Sequence, residues 1–109
     1  MKLRVRRVIL FTQDAPALAA FYRNVLGLRG LSDPDNRGWI ELDAGGIGLA
    51  IHKGRPPAVR SSGPKLAFLC PDVVAARAKL GPVKGSAGGL QLCDGRDPAG
   101  YPFQLSNRP

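Results

Sequence analysis

From Leu3 to Thr12 the chain alternates, with Leu3, Val5, Arg7, Ile9 and Phe11 on one side of an extended backbone and Lys2, Arg4, Arg6, Val8 and Leu10 on the other. This predicts a strand whose apolar side is interrupted by Arg7. The period then changes. Between Asp14 and Leu28, Leu18, Phe21, Tyr22 and Val25 fall at i, i+3, i+4 and i+7; Asp14 can cap the N-terminus, Pro16 suits the first turn and Gly27 can end the segment. An amphipathic helix results, and it needs a sheet to lie on. Leu28 to Leu31 is expected as a short strand, Ser32 to Gly38 as a turn, and Trp39 to Asp43 as a strand with Trp39, Glu41 and Asp43 on one face. Gly45 and Gly46 turn the chain into Ile47 to His52, where Gly48, Ala50 and His52 share a face. If the leucine and isoleucine faces cover the helix, the opposite, concave face carries Trp39, Glu41 and His52, with space over Gly48 and Ala50.

Residues 54–64 are rich in Pro, Gly, Ser and Arg and lack periodicity, which marks them as a linker between a first module, 3–53, and a second, 65–107. The second module repeats the first. Lys65 to Cys70 reads as a strand, and Asp72 caps a helix, Val73 to Leu80, with Val73, Ala76 and Leu80 inward and Gly81 as its stop. Val83 to Lys84, Leu90 to Cys93 and Tyr101 to Ser106 read as strands, the last preceded by a turn from Asp94 to Gly100. The order strand, helix, three strands therefore occurs twice, which predicts an α+β fold of two βαβββ modules in a single domain.

Composition narrows the function classes. Sixteen Lys and Arg against eight Asp and Glu give a net charge of +8, which favours anionic partners. No aromatic-rich RNA-binding signature or helix-turn-helix pattern accompanies Lys2, Arg4, Arg6, Arg55 and Arg60, so a nucleic acid is not the expected partner. Cys70 and Cys93 lack metal or redox spacing and read as small buried hydrophobes. The basic N-terminus precedes an apolar run of only Val8 to Phe11, without a small-residue cleavage site, and there is no run of membrane-spanning length. A cytoplasmic protein is expected. At 109 residues burial is modest, which favours a homodimer. His52 is the only histidine, and no Ser-His-Asp or Cys-His arrangement is evident. Gly45 to Gly48 and Ser86 to Gly89 read as turns, because no P-loop lysine or following helix accompanies them.

Two segments resemble a known family. Phe21 to Leu28, FYRNVLGL, is similar to the FYRDVLGL segment of the vicinal oxygen chelate superfamily, which includes glyoxalase I, extradiol dioxygenases, and bleomycin- and fosfomycin-resistance proteins. Asp97-Pro98-Ala99-Gly100 is similar to the DPDG turn before that family's last strand. The resemblance spans Val5 to Asn107 and implies paired βαβββ modules curled into a cupped, open mixed sheet around a cavity, often completed by a dimer. In the family's enzymes a divalent metal is held by His, Glu or Gln side chains from the first and last strands of each module. Those positions fall on Arg7, Ala50, Lys65 and Gln104.

Arginine and protonated lysine donate no lone pair and would repel a cation, so only Gln104 is a possible ligand. A relocated site of His52, Glu41 and Gln104 is thin for a transition metal. The expectation is a glyoxalase- or bleomycin-resistance-like protein without metal or other cofactor, holding a small anionic or aromatic molecule. Arg7 and Lys65 would supply counter-charge, Phe11 and Trp39 would stack a flat ring, Glu41 would orient Arg7, and His52 and Gln104 would complete the ligand contacts. Alternatives stand beside these roles: Arg7 and Glu41 as a mutually neutralised pair, and His52 as a strand-end residue half in solvent. The alternative function is an enzyme of the same superfamily, a lyase, isomerase or dioxygenase, with a displaced metal site or with Lys65 as a metal-free base.

Overall fold

The chain builds one motif twice, and a computed structural model describes residues 1–57, 63–80, 84–85 and 89–109. It divides into two compact units, residues 1–58 and 59–109. The first unit runs β1 (Arg7–Thr12), α1 (Ala15–Ala20), a π-helical turn (Phe21–Val25), β2 (Arg29–Gly30), β3 (Trp39–Asp43) and β4 (Gly48–Lys53). Its four strands form one sheet in the order β1-β4-β3-β2; β1 runs parallel to β4 and the other pairs are antiparallel.

Strand β1 starts at Arg7, not Leu3. The reason lies in its partner. Gly45 and Gly46 both take positive φ in the turn before β4, so the ladder opens with Gly48 opposite Arg7, and the residues before Arg6 have no strand to pair with. Alternation alone cannot supply a partner. The turn itself is held by Asp43, whose Oδ1 accepts from the backbone N–H groups of Gly45 at 2.8 Å and Gly46 at 3.2 Å.

The helix is capped as expected, with Asp14 Oδ1 accepting from Ala17 N–H at 3.1 Å. Its second half differs. From Phe21 the chain widens into a π turn, closed by Leu26 N–H donating to Phe21 O, and Leu28 N–H reaches Tyr22 O across Gly27 at positive φ. Widening resets the face, so Leu18 and Tyr22 are fully buried while Val25, predicted inward, is exposed. Leu10, Leu18, Tyr22, Ile40, Leu42, Leu49 and Ile51 make the core between helix and sheet. Each such side chain contributes about 1.5–3 kcal/mol through removal from water.

The second unit runs β5 (Leu66–Leu69), α2 (Val73–Leu80), β6 (Lys84–Gly85), β7 (Gln91–Arg96) and β8 (Pro102–Ser106), with sheet order β5-β8-β7-β6. Here too the first strand is parallel to the last, β5 to β8. Val73, Cys93, Phe103 and Leu105 are buried, while Ala76 and Leu80 are only half-buried. The expected helix stop at Gly81 and strand residue Val83 lie outside the described residues, as do Ser86 and much of the linker. Residues 94–96, expected in a turn, instead extend β7 opposite Gln104, Phe103 and Pro102. No helix among the described residues is long and apolar enough to cross a membrane.

Candidate functional site

In each sheet one face is covered by the helix, and register determines which residues occupy the other. In the first unit three cross-strand rows form on that open face: Arg7, Gly48 and Asp43; Ile9, Ala50 and Glu41; and Phe11, His52 and Trp39. Five predicted site residues, Arg7, Phe11, Trp39, Glu41 and His52, therefore meet on one surface. The central strand contributes only small side chains in two of the rows. The space expected over Gly48 is taken up by its neighbours, since a Cβ there would fall within contact distance of the Glu41 carboxylate and 3.3 Å from Arg7 Cβ.

The third row is a run of rings. His52 sits between Phe11, at 5.3 Å between centroids and a 47° tilt, and Trp39, at 5.5 Å and 64°. Trp39 is fixed from behind: Asn36 Oδ1 accepts from the N–H groups of Gly38 and Trp39 at 2.8 and 3.0 Å, and Lys53 N–H donates to Gly38 O. Phe11 lies over Gly54, where a Cβ would come within 2.8 Å of its ring. These rings are not core. Phe11 keeps 39% of its surface exposed, beside Ile9 at 41%, while Trp39 and His52 are half-buried.

Arg7 reaches across Gly48 toward Glu41, with Nε 3.4 Å from Oε1 and donating to Oε2 at 3.5 Å; its guanidinium carbon lies 6.0 Å from the Trp39 ring centroid. Glu41 is the more buried partner, its side chain 13% exposed against 38% for Arg7. Its strand position is set by Ser32 Oγ accepting from Glu41 N–H and by Leu31 N–H donating to Glu41 O, both at 2.9 Å. Nε is the guanidinium nitrogen that bonds Glu41.

Lys65 and Gln104 are brought together in the second unit by a residue that sequence reasoning missed. Asp94 Oδ1 accepts from Lys65 Nζ at 3.0 Å and from Gln104 Nε2 at 3.1 Å. The signal was the alternation of Leu92, Asp94 and Arg96, hidden by the turn-forming residues that follow. Asp97 then makes the true turn: its buried carboxylate accepts from Ala99 and Tyr101 N–H at 2.9 and 3.0 Å, and Gly100 takes positive φ.

The two units match position for position. Ala50 pairs with Ile9 and Glu41 as Gln104 pairs with Ala67 and Asp94, and the cation stands two residues earlier, Arg7 opening β1 or Lys65 just before β5. Each unit thus carries the same device, a first-strand cation spanning the central strand to a carboxylate on the next. Arg7 and Lys65 are each compensated within their own unit, so these two pairs are neutral. The Lys65 side chain is 43% exposed.

The donor set at the four positions implied for a metal is guanidinium, methyl, ammonium and amide, which does not fit a divalent cation. Glu41 is committed to Arg7, His52 is enclosed by two rings, and among the described residues no group of three or more His, Cys, Asp or Glu gathers around a common point.

No protein-family model matches the sequence, and no curated protein matches it either. Solved structures do. The lactoylglutathione lyase of Agrobacterium tumefaciens superposes with a TM-score of 0.73 at 17% identity, covering 97% of this chain and 94% of that one. TioX from Micromonospora sp. ML1 gives 0.72 at 20% identity over 94% and 97%, and the oxidase ChaP-H2 gives 0.74 at 20% over 100% and 96%.

Proposed function

We propose that this chain, which has the α+β fold of the glyoxalase, or vicinal oxygen chelate, superfamily, binds a small flat molecule bearing an anionic group, without a metal. The observation that carries this reading is the row Phe11, His52 and Trp39 on the open face of the first sheet, with the Arg7 guanidinium beside Trp39. A planar ring stacks on such a surface, and the terminal N–H groups of Arg7 suit a carboxylate or phosphate at its edge. Glu41 holds Arg7 by one nitrogen and leaves that donor edge to the ligand. On the second unit Lys65 and Gln104, drawn together by Asp94, are proposed as polar contacts of that unit's own sheet.

Solved structures of similar fold include a lyase and an oxidase, but fold does not transfer chemistry, and the donor set at the four implied positions argues against metal-assisted catalysis. Trp39 is the only tryptophan, so its fluorescence reports the proposed surface directly. Titration with naphthoate should quench it saturably, naphthyl methanol should bind more weakly, and Arg7→Gln should erase the difference between the two. Equal affinity for both probes in the unaltered protein would remove the anionic part of the reading. Absence of any saturable change would remove the whole.

A further inference from the structure

A basic cavity lies at the other end of the first sheet, away from the rings. Arg4, Arg6 and Arg29 line a cavity of about 390 Å³ whose remaining wall includes Asp43, Gly46 and Ile47. Three guanidinium groups stand against one carboxylate, which leaves two positive charges.

That carboxylate is already spent. Asp43 Oδ1 accepts from Gly45 and Gly46 N–H, and Oδ2 from Arg29 Nη2 at 3.1 Å. Arg4 and Arg6 form no ion pair among the described residues, and both precede β1 and line the cavity, Arg6 held to the sheet by its carbonyl, which accepts from Gly48 N–H at 2.9 Å. Two exposed arginines without an ion pair, both lining one cavity, supply the guanidinium groups that bind phosphate oxygens in bidentate geometry. A cavity of this size suits a small molecule rather than an extended polymer.

We propose that the Arg4, Arg6 and Arg29 cavity binds the phosphate of a small phosphate ester or pyrophosphate. Arg29, bonded to Asp43, forms one wall, and Arg4 and Arg6 supply the two charges that have no ion-pair partner among the described residues. This site is independent of the ring surface, so either can fail without the other.

Calorimetric titration with inorganic pyrophosphate and with phenyl phosphate at low ionic strength tests it. One-to-one binding is expected, weakened by about tenfold or more in the Arg4→Gln/Arg6→Gln double variant, since each charge-assisted fork contributes strongly. Arg37→Gln/Arg77→Gln removes the same net charge elsewhere and should change affinity by less than about twofold if general attraction is not the cause. Equal losses in the two variants would overturn the proposal, as would no saturable binding, or binding of a short DNA duplex without binding of either small anion. Should the Arg4/Arg6 variant misfold by circular dichroism, amide shifts of the unaltered protein decide instead. Pyrophosphate-induced shifts centred on Gly45, Gly46 and Ile47 support the site, and shifts centred elsewhere refute it.

Discussion

Replacing Gly48 by alanine probes the open face with a single methyl group. The new Cβ would collide with the Glu41 carboxylate and sit 3.2 Å from its Cδ and 3.3 Å from Arg7 Cβ. The carboxylate is the far end of a flexible side chain and can swing away, at the cost of the Arg7 ion pair. A partly exposed pair of that kind is worth about 0.2–1 kcal/mol. Alanine also restricts the unfolded chain, returning about 0.4–1 kcal/mol at a backbone angle it can adopt. Stability should therefore change by no more than about 1 kcal/mol in either direction. The comparator is Gly95→Ala, whose Cβ would lie 2.5 Å from Phe103 Cζ and 3.0 Å from both Cε atoms. That ring is 1% exposed and has nowhere to go, so overpacking should cost about 1–3 kcal/mol. Thermal and urea unfolding of both variants gives the answer: Gly95→Ala should lower Tm by about 4 °C or more, and Gly48→Ala should stay near the parent while altering naphthoate affinity. If Gly48→Ala loses as much stability as Gly95→Ala, Glu41 is locked in place and the account of a yielding ion pair is wrong.

Other outcomes follow from single contacts. Leu18→Ala removes a fully buried side chain and should cost about 2–5 kcal/mol in urea unfolding. Asp14→Ala deletes the bond to Ala17 N–H and should cost about 0.5–2 kcal/mol. The backbone N–H groups of Gly45 and Gly46, and then Arg29, hold the Asp43 carboxyl below its ordinary value. A depressed folded value means its contribution is full above the unfolded value and fades as pH falls through the folded one, so Asp43→Asn should flatten the acid limb of a stability–pH curve. Burial, followed by the charge of Asp94, pushes the Cys93 thiol up, so the half-buried Cys70 should react first with a thiol reagent near neutral pH.

Much of this fold was legible because its local signals agree with its packing. Trp39–Asp43 and Val73–Leu80 form with the predicted bounds, Asp14 caps α1, and Gly45-Gly46 makes the hairpin. What escaped depends on partners distant in sequence. Leu3 to Arg6 alternates like a strand yet has no ladder, because the hairpin turn begins the partner strand only at Gly48. Val25 has the right spacing for burial, but the π turn at Phe21 rotates it out. Among site residues, alternation sufficed to place Arg7, Phe11, Trp39, Glu41 and His52 on one face, since a period of two is all that requires. It could not show that Asp94 collects Lys65 and Gln104, a contact spanning three strands.

The central claim is that the open face of the first sheet binds its ligand without a metal. Calorimetric titration of naphthoate into chelator-treated protein, repeated with zinc, nickel, manganese and iron(II), tests it most directly. The account predicts saturable binding of unchanged affinity in every case, lost in Phe11→Ala. Binding that appears only when one of these metals is restored would contradict it.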